Sequence, residues 1–193
     1  MGEPVTGKNA EGRFNKNFWI VDTRDEKAYK KGHLPHSVNL MAEGSFETWL
    51  GSIIPPHERF YLAASSKKRL EDIIGRTAVI GYESQVEEAF MLDYGEVTED
   101  KVDVDRFRQH TNAYTIIDVR NTLEAAGKII FENSISIPLG ELRESVSKIP
   151  LDKPIVVHCA SGYRSAAGSS ILRSLLPGTT KVFDLGTEVK NFM

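Results

Sequence analysis

The stretch 114-YTIIDVRNTLEAAGKIIFENSISIP-138 reads as an apolar strand ending in Asp-x-Arg, a short helical segment running to a Gly, and a Ser that leads into a second short apolar strand. The same plan occurs earlier, as 18-FWIVDTRDEKAYKKGHLPHSVNL-40. Asp22 and Asp118 lie 96 positions apart and Ser37 and Ser134 lie 97 apart, so the two halves read as a duplication. Further on, 155-IVVHC-159 is a β-branched run introduced by Pro154 and followed by Gly162, and 165-SAAGSSILRSLL-176 carries apolar residues at helical spacing. The first half has 60-FYLAA-64 and the helix-forming 65-SSKKRLEDIIGRTAVIG-81 in the same order. A shift of 96 sets Ala63 under Cys159, which predicts a first copy without a thiol.

Alternation of strands and helices predicts an α/β fold with parallel strands covered by helices on both faces. The expected domains are about residues 10–97, lacking the cysteine, and about residues 98–193, carrying it. The acidic, Gly-containing 95-GEVTEDKV-102 is the expected boundary.

Composition excludes some partners. Lys and Arg number 12 against 15 Asp and Glu in residues 1–97, and 12 against 12 in residues 98–193, so neither half has the basic surface of a nucleic-acid binder or of a protein held on anionic membranes. The apolar runs are too short to cross a bilayer and the N-terminus has no apolar leader segment. A single cysteine rules out an intramolecular disulfide, and a reducing, cytoplasmic location is expected. The histidines, at positions 33, 36, 57, 110 and 158, lack ligand spacing. Neither a metal nor an organic cofactor is expected.

The thiol stands in 157-VHCASGYRS-165, after a strand and before a helix, where open α/β sheets place their ligands. Gly162 supplies the conformational freedom for a tight turn, and successive backbone N–H groups can then form an anion nest at the start of the helix. Negative charge on a sulfur held there gains hydrogen bonds and the positive end of the helix dipole, which makes Cys159 a nucleophile. An apolar core site has no use for such polar donors or for Arg164. His158 faces the opposite side of its strand and is read as structural. The run Lys67-Lys68-Arg69 is read as a solvated helix start.

On these residues the chain resembles a tandem rhodanese, the sulfurtransferase family whose loop is Cys-x-x-Gly-x-Arg-Ser/Thr, here Cys159-Ala160-Ser161-Gly162-Tyr163-Arg164-Ser165. The Asp-x-Arg segments and the Gly-His of 32-GHLPHSVNL-40 add to the likeness. The resemblance implies a mostly parallel five-stranded sheet in each domain. It also implies sulfur carried as a Cys159 persulfide from thiosulfate or another sulfane-sulfur donor to cyanide or a thiol. Cys159 and Arg164 are the expected catalytic residues, with Ala160, Ser161, Gly162, Tyr163 and Ser165 lining the substrate site. Asp118 and Arg120, like Asp22 and Arg24, are implied to be a structural network. Small sulfur-containing anions and low-molecular-weight or protein thiols are the expected partners.

Three departures stand out. The first half has no nucleophile. The second half has Gly127-Lys128 in place of Gly-His, with a helix before that Gly that reads one residue shorter, and 184-DLGTEVKNFM-193 lacks the usual Gly-Gly and Trp, so a short or loosely held end is expected. The run 46-FETWLGSIIPPHERFYLAA-64 with 80-IGY-82 resembles the inactive first module that follows a metallo-β-lactamase-like domain in persulfide dioxygenase fusions. Such a domain, in cis or in trans, is therefore a further expected partner, and the alternative function is the sulfur-handling or protein-interaction region of such a fusion. Cysteine phosphatases of related fold are expected to have five residues between Cys and Arg, against four here, a ring better suited to sulfur than to phosphate.

Overall fold

The computed structural model describes residues 5–10 and 12–193, so part of the N-terminal reading above lies outside it. The chain divides into two compact units, Met1–Glu99 and Asp100–Met193. The first contains β1 (Val5–Thr6), α1 (Gly7–Ala10), β2 (Trp19–Asp22), α2 (Glu26–Lys31), β3 (Ser37–Asn39), α3 (Phe46–Ile53), β4 (Phe60–Ala64), α4 (Lys67–Val79) and β5 (Val86–Tyr94). The second contains α5 (Val104–Gln109), β6 (Thr115–Asp118), α6 (Thr122–Gly127), β7 (Ser134–Ser136), α7 (Leu142–Ser145), β8 (Ile155–His158), α8 (Tyr163–Leu175) and β9 (Val182–Asp184), and closes with a 3-10 segment, Gly186–Phe192. Among the described residues no helix is long and apolar enough to cross a membrane.

Strand order is β1-β5-β4-β2-β3 in the first unit and β7-β6-β8-β9 in the second. Every ladder among the described residues is parallel, apart from an isolated antiparallel bridge between His33 and Val97. The central strands β2, β4, β6 and β8 are buried along their whole length, as parallel strands sandwiched between helices must be. In the second unit Ile116 and Val156 pack on one face with Phe107 of α5, Phe131 and Val189. On the other face Gly168 of α8 comes so close to the sheet that a Cβ there would stand 3.1 Å from Val119 Cγ1 and 3.2 Å from Val157 Cγ1.

The second sheet has four strands where five were expected. In the first unit β5 runs for nine residues, long enough to pair β4 on one edge and β1 on the other. β9 stops after three. There the Asp184 carboxylate accepts the N–H of Gly186 at 2.8 Å, and Gly186, at φ 56°, turns the chain into the 3-10 segment, so little edge remains for a fifth strand. That segment is short, as expected, yet firmly held: Val189 is buried and Phe192 packs on Phe107 and Phe131, ring centroids 5.5 and 5.1 Å apart.

The sheet register corrects two sequence alignments. Asp22 pairs with Ala63, but Asp118 pairs with His158, so the residue equivalent to Cys159 is Ala64 and not Ala63. The same offset places Arg69 at the position of Arg164. The helices after the first strands are also equal in length, because Arg24 donates to the Gly32 carbonyl and Arg120 to the Lys128 carbonyl, each eight residues on. Lys128 therefore replaces Gly32, and the extra residue of the second copy lies in the turn before β7. The first unit needs Gly32 because a Cβ there would stand 2.7 Å from the Gly95 carbonyl oxygen. The proposed boundary segment is likewise fastened down at its start: Gly95 donates to Gly32, and His33 and Val97 exchange backbone hydrogen bonds.

Close packing under α8 makes Gly168→Leu a sharp test of the fold. It is expected to lower stability by about 1–3 kcal/mol through overpacking, measured as a lower midpoint of urea unfolding.

Candidate active site

β6 and β8 end side by side, and the turns that follow them build the site. Asp118 closes β6 and binds Arg120 through both carboxylate oxygens, with Arg120 Nε at 2.9 and 3.0 Å and Nη2 at 2.6 Å; both side chains are buried. Arg120 then donates to the carbonyls of Lys128 at 2.9 Å and Glu124 at 3.5 Å, which fixes α6 over the strand end. Burial raises the Asp118 pKa, but the hydrogen bonds of Arg120 and the charges of His158 and Arg120 outweigh it and hold the carboxyl below its usual range. Removing one partner would leave an uncompensated buried charge, worth about 3–5 kcal/mol.

β8 delivers Cys159, which is wholly buried. The backbone N–H of Gly162 donates to its Sγ at 3.2 Å. Gly162 can make that bond because it is the left-handed residue, φ 104°, that precedes α8. A Cβ there would also stand 3.1 Å from the Gly186 carbonyl carbon and from the Thr187 amide nitrogen. The sulfur thus faces the Gly162 amide at the head of a 13-residue helix.

The other predicted residues fall into distinct places. Ser161 is exposed at the loop tip, while Ala160 and Tyr163 are half-buried beside it. Ser165 is turned inward: it is buried, and its hydroxyl donates to the Gly162 carbonyl at 3.1 Å, so it braces the loop. Arg164 forms a two-pronged pair with Glu124 of α6, Nη1 to Oε2 at 2.7 Å and Nη2 to Oε1 at 2.9 Å. Burial works against the Arg164 charge, but Glu124 first, and then Cys159 and Asp118, raise its pKa above the ordinary arginine value. The hydrogen bond from Arg164 holds the Glu124 carboxyl below its usual range. The arrangement presents a sulfur with a backbone donor and a nearby guanidinium, as anionic sulfur chemistry requires.

Glu124 escaped the sequence reading. Only comparison of the two copies carries its signal: the matching residue of the first half is Ala28, and Arg69 there pairs with Glu43 instead. Ser66 of the first copy caps α4 with its own side chain, accepting from the Arg69 N–H, so its loop has ordinary helix-cap geometry and no thiol. Among the described residues no group of three or more His, Cys, Asp and Glu side chains is placed to hold a metal ion.

The Rhodanese-like domain family matches residues 6–93 and 103–192. No curated protein matches the chain. Among solved structures, a rhodanese-related protein from Thermoplasma volcanium is 34% identical over 44% of this chain and 80% of its own, with a TM-score of 0.39. The NAD-dependent persulfide reductase from A. fulgidus is 37% identical over 45% of this chain and 14% of its own, TM-score 0.35. SseA from Escherichia coli, described among 3-mercaptopyruvate sulfotransferases, is 14% identical over 93% of this chain and 96% of its own, TM-score 0.38.

Two substitutions separate the loop's supports. Gly162→Ala is expected to cost about 1–3 kcal/mol, read by urea unfolding, because it forces a side chain into a backbone region reserved for glycine and toward Gly186. Glu124→Ala removes a partly exposed pair and is expected to cost no more than about 1 kcal/mol. Its effect should appear instead as faster hydrogen exchange at the Gly162 amide, measured by NMR.

Proposed function

Because this chain belongs to the rhodanese-like domain family, we propose that its second domain, about residues 98–193, is a sulfurtransferase that carries sulfur on Cys159. The Cys159 thiolate attacks the outer sulfur of thiosulfate; the S–S bond of the donor breaks, sulfite leaves with the electron pair, and a Cys159 persulfide anion remains. An acceptor, cyanide or a thiolate, then takes the outer sulfur as thiocyanate or a new persulfide and returns the thiolate. A persulfide donor enters by the same exchange, with a thiolate leaving. The acceptor comes from outside the chain, which has no second cysteine. A lone thiol with this task suits a reducing, cytoplasmic setting.

The observation that carries this reading is the Gly162 N–H held on Cys159 Sγ at 3.2 Å. In the persulfide the negative charge moves one atom outward, toward Ala160, Ser161 and Tyr163, which line the substrate site in this reading. Arg164 draws the anionic donor by its charge, while its hydrogen bonds to Glu124 set the loop in place. The first domain, about residues 10–97, has Ala64 at the nucleophile position and acts through packing or binding. A second reading makes the chain the sulfur-handling region or partner of a metallo-β-lactamase-like domain. It rests on the resemblance of residues 46–64, and the metal of such a domain would have to be bound elsewhere.

Intact-mass measurement tests the main reading. Incubation with thiosulfate is expected to add about one sulfur atom to the wild type, lost again on adding cyanide, and to add none to Cys159→Ala. A wild-type chain that gains no sulfur from thiosulfate or from a small persulfide would remove the sulfurtransferase assignment.

A further inference from the structure

His158 stands directly before the thiol, has no exposed surface, and has both ring nitrogens buried without a hydrogen-bond partner. Leaving such a group unpaired costs about 1–3 kcal/mol, so its presence asks for a physical reason. The first unit provides an internal control. There the residue opposite Asp22 is Ala63, and the Asp22–Arg24 pair forms with the same geometry, Arg24 Nη2 lying 2.7 Å from Asp22 Oδ2. The buried acid–guanidinium pair therefore does not need an imidazole beneath it. The imidazole occurs in the unit that carries the thiol.

Its surroundings are well defined. The ring stands edge-on to Phe131, centroids 4.9 Å apart at 78°. Nε2 is 3.8 Å from Asp118 Oδ2, the same oxygen that Arg120 Nη2 holds at 2.6 Å. The charged groups acting on His158 are Asp118, attractive to a protonated ring, and Arg120, repulsive to it; the backbone of Cys159 lies near enough to favour the charged ring without forming a hydrogen bond of ordinary geometry. From Arg120 the connections run to the carbonyls of Glu124 and Lys128, and from the Glu124 carboxylate to Arg164 in the cysteine loop.

We propose that His158 is an acid-sensitive positioning residue for the cysteine loop: on protonation its imidazolium takes a share of Asp118 Oδ2 from Arg120, and the loosened guanidinium passes the change through α6 and Glu124 to Arg164. The second half of this chain of contacts rests on the reading of Cys159 as the reactive sulfur. At neutral pH the ring is uncharged, since burial pushes its pKa below the ordinary imidazole value against the pull of Asp118. The sign follows. A base that the fold keeps from protonating binds its proton more readily when unfolded, so the fold loses stability as pH drops below the ordinary imidazole value.

The test uses the isotope-labelled full chain, titrated from roughly pH 8 to 5, with NMR following the His158 ring and the Nε–H signals of Arg120 and Arg164. In parallel the rate of Cys159 alkylation by iodoacetamide is measured across the same range. His158 is expected to titrate below the ordinary imidazole value, with both arginine signals moving at its midpoint. The alkylation profile should show an inflection at that pH that is missing in His158→Ala, the two proteins differing by about fivefold at the acid end. Arginine signals that stay still while His158 titrates, a ring that remains neutral throughout, or an inflection that persists in His158→Ala would each overturn the proposal. The wild-type NMR arm decides even where the variant fails to fold. Neither arm uses a sulfur donor, so a chain with the linked titration that accepts no sulfur from thiosulfate would overturn the proposed function and support this inference.

Discussion

A guanidinium buried at the end of the first long strand holds each unit together. Arg120 binds both oxygens of Asp118 and the carbonyls of Glu124 and Lys128 in and after α6, and Arg24 binds both oxygens of Asp22 and the carbonyls of Gly32 and, from β5, Asp93. A parallel strand that ends in the interior leaves a carboxylate and several carbonyls without water, and one planar group with five N–H donors satisfies them together. The helix after the strand is thereby locked to the sheet. In the second unit that helix carries Glu124, and Glu124 holds Arg164, so the cysteine loop inherits its position from the same buried pair.

The two units differ where chemistry is at stake. Beyond the shared strand end, the first has Ala64 and a serine-capped helix, and its short loop needs no left-handed residue. The second has Cys159, a left-handed Gly162 and an inward Ser165, which together bring a backbone N–H onto sulfur. The close approach of Gly162 to Gly186 also binds the loop to the 3-10 segment at the C-terminus. That segment exists because β9 ends at Asp184, and its aromatic end completes the core around Phe107 and Phe131. A shorter sheet and a braced loop are thus two results of the same early turn.

Much of this was legible in the residue order. The duplication, the alternation of strand and helix, and the position of the thiol between a strand and a helix follow from periodicity and from the repeated Asp-x-Arg. Two alignments failed: the shift of 96 does not hold at the thiol, where the offset is 95, and matching Gly127 to Gly32 does not hold after the first strand, where the offset is 96. The reason is physical. Insertions and deletions fall in turns, where one residue more or less costs little, while hydrogen-bond ladders fix the register of the strands on either side. Lys128 therefore stands in the place of Gly32 although Gly127 precedes it, and Ala64 rather than Ala63 stands in the place of Cys159.

By itself the sequence determined the elements, the two-fold repetition, the missing thiol of the first copy and the glycine at the turn, because these depend on local backbone preference and on the pattern of apolar residues. Only the tertiary structure decided the partner of Arg164, the inward aim of Ser165, the strand count of the second sheet and the unpaired state of the His158 ring. Each of these depends on which residues distant in the chain meet in space. Glu124 lies 40 positions before Arg164, and no local rule connects a half-buried helical acid with an arginine that far away until the fold brings α6 beside the loop.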